Sequence, residues 1–146
     1  MSTLQTARYI KPQVYEKSHH PEYTADPIRL VPHLDFGALG GVPFNLQFEV
    51  ITRPFTMVED HHNHPFDQYL TFLGGDINNN MELNAEIELV LSEDGIHRET
   101  HTITKATSIF IPKGLYHCPL IYKRVDKPFY FVEIFFADQY IQRKRQ

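Results

Sequence analysis

The sequence predicts an all-β fold of the sandwich or barrel type, and three observations support this prediction. Apolar and polar residues alternate with a period of two in several segments, which is the pattern of half-buried strands. Short turn signals such as Asp94-Gly95 separate these segments. No segment longer than a few residues keeps a helical period. Several short strands joined by turns are typical of sandwiches and barrels.

The predicted strands begin after residue 44 and continue almost to the end of the chain. In the first of them, Leu46, Phe48 and Val50 share one face, while Gln47 and Glu49 share the other. The segments predicted as strands are 45–51 (NLQFEVI), 81–91 (MELNAEIELVL), 96–104 (IHRETHTIT), 106–112 (ATSIFIP), 121–125 (IYKRV) and 129–136 (FYFVEIFF). We expect one hairpin around Asp94-Gly95 and another around Asp126-Lys127-Pro128.

A chain of 146 residues is long enough for one domain with a core and too short for two ordinary ones. Residues 1–39 are rich in proline and polar residues, and we interpret them as an extended arm that packs on the barrel or crosses to a neighbouring subunit. Residues 40–138 form the predicted barrel, and residues 139–146 a basic, solvated tail. Exposed strand edges and the doubly apolar last strand favour a homodimer.

Charge and composition exclude several classes of function. The formal net charge of −4 does not favour a nucleic-acid partner. No apolar run is long enough to cross a membrane, and the first residues do not resemble a secretory signal. Because Cys118 is the single cysteine, no disulfide can form within the chain. We therefore expect a cytoplasmic protein that acts on a small molecule and binds neither nucleic acid nor membrane.

Histidines are concentrated in the segment HHNHPFDQYLTFLGG, residues 61–75. On an extended chain, residues of equal parity face the same way, so His62 and His64 point to one side together with Gln68. Two imidazoles at this spacing can share a metal ion. A further ligand is expected from His117, which lies between apolar residues after the turn at Pro112-Lys113-Gly114.

These residues form two motifs that resemble those of the cupin superfamily. His62-x-His64-x3-Gln68-x6-Gly75 is similar to the first cupin motif, and Pro112-x-Gly114-x2-His117 to the second. The resemblance implies a double-stranded β-helix, or jelly-roll barrel, in which the two motifs lie on adjacent strands. It also implies that His62, His64, Gln68 and His117 hold one divalent metal ion, with iron favoured and zinc, manganese or nickel as alternatives.

The sequence departs from the cupin pattern in ways that bear on the metal. Gln68 stands where the family usually has Glu, so a bound ion would keep more positive charge, bind less tightly and act as a harder Lewis acid. Ala106 and Ile121 replace a usual glycine and asparagine, and neither change removes a ligand. Cys118 has outward parity and is interpreted as an inert buried thiol. A vestigial or structural histidine set is the alternative to a metal site.

Three further residues are candidate catalytic groups. Glu133 lies within the aromatic strand FYFVEIFF, where a carboxylate is costly unless it is paired or functional. It is either a general base near the metal or the partner of Arg53 or Lys123 in an ion pair. Glu49 either lines a pocket or faces water. Arg53 is a candidate clamp for a carboxylate substrate.

The predicted function is that of a metal-dependent enzyme acting on a small polar organic molecule. A site of three histidines and an amide leaves positions open for O2 and substrate, which favours a mononuclear non-haem iron dioxygenase. Two alternatives stay open. One is a non-redox lyase, isomerase or decarboxylase, and the other is a cupin that binds a small molecule without converting it.

Overall fold

The computed structural model describes residues 4–144, which fold into two antiparallel sheets packed face to face. Two short 3₁₀ helices, Gln5–Tyr9 and Pro32–Leu34, lie in the N-terminal arm. The strands are β1 (Ile28–Leu30), β2 (Asn45–Ile51), β3 (Phe55–Val58), β4 (His62–Asn63), β5 (Gln68–Gly74), β6 (Glu82–Ser92), β7 (Glu99–Lys105), β8 (Thr107–Ile111), β9 (Tyr116–Val125), β10 (Phe129–Phe135) and β11 (Arg143–Lys144). The predicted all-β jelly roll is thereby confirmed.

The first sheet has the strand order β1-β2-β10-β5-β8, and the second has β11-β4-β9-β6-β7, with β3 also pairing with β9. The hairpin predicted around Asp94-Gly95 is present as β6 and β7. The second predicted hairpin is not formed, because β9 belongs to one sheet and β10 to the other. The turn at Asp126-Lys127-Pro128 therefore carries the chain between the sheets.

The core lies between the two sheets and is strongly aromatic. Phe72 of β5, Tyr122 of β9 and Phe129 of β10 are almost fully buried and contact one another edge to face. Burying an aromatic side chain of this size contributes roughly 1.5–3 kcal/mol, so this cluster is a main source of stability. The doubly apolar segment 129–136 forms β10, a central strand, which explains its composition.

The two terminal segments add strands to the sheets. Ile28–Leu30 of the predicted arm pairs with β2 of the same chain, so this part of the arm does not need a neighbour as its partner. The backbone of Arg143–Lys144 pairs with β4, while both side chains are exposed to water. Residues 1–3 and 145–146 of the two predicted segments lie outside the described residues. The predicted domain boundaries stay predictions.

No helix within residues 4–144 has the length and apolar character that a membrane crossing requires.

Candidate metal centre

Strand parity places the first histidine motif inside the barrel. His62, His64, Phe66 and Gln68 are buried, whereas the residues between them are partly or largely exposed. His117 on β9 pairs directly with His62 on β4, so the two motifs lie on adjacent strands. The ring centroids of His62 and His117 are 4.3 Å apart, and those of His64 and His117 are 4.9 Å apart.

Each of the three rings is oriented by a hydrogen bond from its Nδ1 atom to a backbone carbonyl. His62 donates to Asp60 at 2.6 Å, His64 to Ile141 at 2.6 Å, and His117 to Leu115 at 3.0 Å. A neutral imidazole that donates through Nδ1 has a free lone pair on Nε2. All three rings therefore offer Nε2 as a ligand atom, and this arrangement of outer partners is usual around metal-binding histidines.

The Nε2 atoms of His62 and His64 lie 3.1 Å apart. Two unprotonated nitrogens at this distance repel each other unless a cation lies near both. Two nitrogen ligands of one ion with metal–nitrogen bonds near 2.1 Å are separated by about 3 Å, so the observed spacing suits shared coordination. The Oε1 atom of Gln68 is also buried without a hydrogen-bond partner in residues 4–144. This donor set fits a divalent metal.

Burial keeps these histidines neutral. It lowers the pKa of His64 to about 4 and that of His117 to about 3, and it also lowers the pKa of His62. Hydrogen bonds to the backbone carbonyls oppose these shifts only in part. The rings are therefore unprotonated near neutral pH, as metal ligation requires.

Cys118 lies inside the barrel, contrary to its expected outward orientation. In the described part of the chain, the ligand atoms of His62, His117 and Cys118 lie within 4.8 Å of one another. The pairing of β6 with β9 shifts register between Leu89 and Leu91, and Cys118 has a φ of 79°. This irregularity turns two consecutive side chains inward, as a β-bulge does. Burial raises the pKa of the thiol to about 12.

The two candidate carboxylates lie on the first sheet, which also carries Gln68, whereas His62 and His117 lie on the second. Glu133 on β10 pairs with Leu70, two residues along the strands from the pair of Phe135 and Gln68. Glu49 on β2 is buried and accepts a hydrogen bond from Gln47 Nε2 at 2.8 Å. The polar face of this strand thus points into the barrel, and the alternative that Glu49 faces water is excluded.

The pKa of Glu133 is raised to about 7, mainly because its carboxyl is buried. The negative charge of Glu49 adds to this rise, and the positive charge of Arg29 opposes it. Glu133 is partly exposed by surface area, and the rise in pKa reflects the withdrawal of its carboxyl from water. Lys123, one of its two predicted ion-pair partners, instead lies 3.4 Å from Glu88.

The structure does not place Arg53 near the other candidates. Arg53 is exposed in the turn after β2, whose last residue, Ile51, pairs with Phe129. Gln68 pairs with Phe135, at the opposite end of β10. The carboxylate clamp at Arg53 stays a prediction, and the basic side chain that acts on the carboxyl of Glu133 is Arg29.

Arg29 is a residue that the sequence reasoning missed. It lies on β1, with its Nε atom 2.9 Å from Glu16 Oε2, and lines a cavity of about 90 Å³ together with His20, Gln47 and Glu49. The arm lines part of this cavity, so the lining depends on a pairing of β1 with β2 that no local pattern indicates. The one indication in the sequence is that Arg29 is a basic residue, which could pair with the polar face of β2.

The C-terminal strap, defined here as residues 139–144, covers the histidines. The carbonyl of Ile141 accepts the hydrogen bond from His64, and the ring of Tyr140 lies 5.0 Å from that of His64. Arg143 and Lys144 extend the sheet beside β4, and Lys144 lies 3.0 Å from Asp60. The strap therefore orients one of the candidate ligands and shields it from water.

No protein-family model matches this sequence, and no curated protein matches it. Solved structures do match. An oxalate oxidase is 16% identical with a TM-score of 0.54, and the match covers 90% of this chain and 59% of that one. The oxalate decarboxylase of Bacillus subtilis, described for its Mn(II) centres, is 15% identical with a TM-score of 0.57, covering 89% and 29%.

The vicilin of hazelnut, Corylus avellana, is 13% identical with a TM-score of 0.59, and the match covers 91% of this chain and 34% of that one. The chain thus spans less than two thirds of the length of each of these structures. All three are cupin proteins. The chain therefore has the jelly-roll fold of the cupin superfamily, and the resemblance carried by its two histidine motifs is confirmed at the level of the fold.

Proposed function

We propose that this protein is a metal-dependent cupin enzyme that acts on a small polar organic molecule, with His62, His64, His117 and Gln68 as metal ligands. The observation that carries the proposal is the geometry of the rings. Three buried, neutral imidazoles are each held through Nδ1, and two of their Nε2 atoms lie 3.1 Å apart. A merely structural histidine set has no need to bring unprotonated nitrogens together.

A divalent ion held there would supply Lewis-acid polarisation of the substrate and, as iron, one-electron reactivity toward O2. We propose iron and a dioxygenase-type oxidation, because a histidine-rich site with an open coordination position suits iron oxygenases. Manganese is supported by the likeness to the decarboxylase with Mn(II) centres, and zinc or nickel stays an alternative.

Glu133 is proposed as the group that transfers a proton to or from the substrate. Its pKa of about 7 suits it to either role near neutral pH, since the best proton-transfer group has a pKa close to the working pH. Glu49 acts through Glu133, because its charge raises the pKa of the neighbouring carboxyl. The polar lining around Arg29, Gln47 and Glu49 favours a small polar substrate.

The dioxygenase proposal is tested by O2 consumption. Metal-free protein is loaded with Fe²⁺ without oxygen, and O2 uptake is then measured with diketones, catechols, thiols and keto acids. We expect at least one class to support uptake by wild-type protein and not by the His62→Ala variant. Uptake that is equal in both proteins, or absent with every class, would contradict the proposal.

A non-redox reaction is the second candidate, and two observations favour it. Glu133 can exchange a proton near pH 7, and one of the similar structures is a decarboxylase. Conversion of a keto acid under nitrogen would support this candidate. Saturable binding of a compound without conversion, in air or under nitrogen, would support a binding protein in place of an enzyme.

A further inference from the structure

The single cysteine of the chain lies beside the proposed metal ligands. Cys118 is 3% exposed, and its Sγ atom lies within 4.8 Å of one ring nitrogen of His62 and one of His117. Cysteines are frequent in protein cores, so burial alone does not indicate a role. The distinguishing observation is that the thiol faces two imidazoles whose Nδ1 atoms are already engaged.

The donors of the proposed site lack negative charge. Three neutral imidazoles and the amide of Gln68 would leave both positive charges of a divalent ion uncompensated. A buried charge is costly unless an opposite charge lies close to it. Gln68 Oε1 is itself buried without a hydrogen-bond partner in residues 4–144, and none of the four proposed ligands is an anion. A thiolate would supply that anion.

The backbone brings the thiol to this position by a local irregularity of β9. A regular strand would place Cys118 on the face opposite to His117. The register shift opposite Val90 and the φ of 79° turn both side chains inward. Positive φ is uncommon for residues other than glycine and asparagine, and such strain is concentrated at functional sites.

We propose that Cys118 Sγ is a ligand of the metal and supplies the negative charge that Gln68 lacks. When sulfur binds the ion, the thiol proton passes to solvent, so one proton is released for each metal bound through sulfur. A sulfur donor favours Fe²⁺, Co²⁺ or Zn²⁺ over Mg²⁺. This inference rests on the proposed function, because it assumes that the histidines hold a metal.

Cobalt spectroscopy tests the ligand directly. Metal-free wild-type protein is titrated with Co²⁺ without oxygen, and the absorption spectrum is recorded. We expect visible bands from bound cobalt and a near-ultraviolet charge-transfer band from sulfur to cobalt, both saturating at one ion per chain. Because the chain has one cysteine, this band can be assigned to Cys118 without further variants.

Two variants separate ligation from a structural role. Cys118→Ser should lose the charge-transfer band and bind Co²⁺ roughly tenfold or more weakly, since even outer partners of metal ligands contribute about 10–100-fold to affinity. Gln68→Glu combined with Cys118→Ser should recover most of the affinity without the band, because a carboxylate replaces the lost anion. The charge-transfer band separates the two roles, because a purely structural thiol gives no such band in wild-type protein.

The possible failures are distinguishable. Stoichiometric cobalt binding by wild-type protein without the charge-transfer band overturns ligation by Cys118 and leaves the proposed metal site standing. Absence of cobalt binding overturns the proposed function together with this inference. If Cys118→Ser does not fold, the wild-type spectrum still decides the question, and Cys118→Ala serves as the second variant.

Discussion

Two features prepare each histidine of the candidate site as a metal ligand. One is its burial, and the other is a hydrogen bond from its ring to a backbone carbonyl. Burial lowers the pKa values of His62, His64 and His117, and the carbonyls of Asp60, Ile141 and Leu115 fix Nδ1 as the protonated nitrogen. Orientation and protonation state are thus set before a metal arrives. The loss of conformational entropy on assembling the ligands therefore occurs during folding and not when the metal binds.

Replacement of His62 by alanine should abolish metal retention. His62 lies closest to both other rings and pairs with His117 across the sheet, so its loss removes the central donor. Metal content after dialysis, measured by elemental analysis, should fall from about one ion per chain to near zero. His101→Ala is the matched control, because His101 is exposed on β7. Equal metal retention by wild type and His62→Ala would contradict the assignment.

Acid should destabilise the metal-free protein. His64 and His117 bind a proton near pH 6.5 when unfolded, but only near pH 4 and pH 3 when folded. Between these values the unfolded chain holds more protons. The free energy of unfolding therefore falls as the pH falls below about 6.5, by about 1.4 kcal/mol per pH unit for each histidine.

Glu133 acts in the opposite direction. Its carboxyl keeps a proton up to about pH 7 in the folded state, so its contribution to stability is lost as the pH rises from 4.5 toward 7. Because two histidines oppose this one carboxyl, the net effect of acid is a loss of stability. Urea unfolding with a chelator between pH 4.5 and 7 measures this, and Glu133→Gln should steepen the dependence. Rising stability on acidification would refute the prediction.

The face of the strand on which each ligand lies could be predicted from the sequence, because residues of equal parity point the same way. Period two correctly placed His62, His64 and Gln68 on the buried face, although the chain between β4 and β5 is not a regular strand. The prediction from parity was wrong for Cys118, because a β-bulge reverses the direction of its side chain. Such a bulge has no signature in the amino-acid composition. Arg29 was missed because the pairing of β1 with β2 joins distant segments.

At the scale of elements, β4 is very short and is held by its neighbours. Gly114 of the second motif donates its N–H to the carbonyl of His64 at 2.9 Å, and its φ of 88° is one that glycine adopts readily. Asp67 accepts a hydrogen bond from the N–H of Lys113 at 2.9 Å. The turn of one motif therefore positions the histidines of the other.

Removal of the C-terminal strap should loosen the site. A chain that ends at Asp138 lacks the carbonyl that orients His64 and the strand that covers β4. Because the outer partner of a metal-binding histidine contributes about 10–100-fold to affinity, transfer of the metal to a chelator should be roughly tenfold faster or more. The measurement is the rate of cobalt transfer to a chelator.

The control for the strap keeps its backbone and removes one charge. Lys144→Ala breaks the ion pair with Asp60 and preserves the pairing with β4. Exposed ion pairs contribute about 0–1 kcal/mol, so this variant should release metal nearly as wild type does. An unchanged release rate in the shortened chain would show that the strap does not hold the site.

The motif glycine at position 75 should tolerate no side chain. A Cβ there would overlap the carbonyl oxygen of Pro128 in the crossing between β9 and β10. Gly75→Ala is expected to lower the free energy of unfolding by about 1–3 kcal/mol, since the backbone must shift. Gly37→Ala is the control, because its Cβ would meet only an ordinary contact with Asp35. Equal unfolding midpoints for the two variants would exclude this role.

The positions of the strands could be predicted from the sequence better than the partners with which they pair. The strands around Asp94-Gly95 pair as expected, since a tight turn dictates its own hairpin. The strands around Pro128 do not pair with each other, because each finds longer partners in a different sheet. β11 has two basic residues and no apolar pattern, so its pairing with β4 depends entirely on tertiary structure.

At the scale of the whole molecule, the barrel interior changes character along its length. Phe72, Phe129 and Ile51 fill one end, whereas the histidines, Gln68 and Glu133 occupy the other. The apolar end supplies stability and the polar end supplies the candidate chemistry. The outer face of the first sheet also carries a half-exposed aromatic cluster of Tyr69, Phe110 and Phe136. The homodimer stays a prediction, and this cluster is a candidate contact for it.

The central claim is that imidazoles from two separate strands meet around one metal ion. An anomalous difference map from crystals of metal-loaded protein, collected at the absorption edge of the ion, tests it most directly. The account predicts one strong peak about 2.0–2.3 Å from the Nε2 atoms of His62, His64 and His117. A map without a peak there, or with its strongest peak elsewhere on the chain, would contradict it.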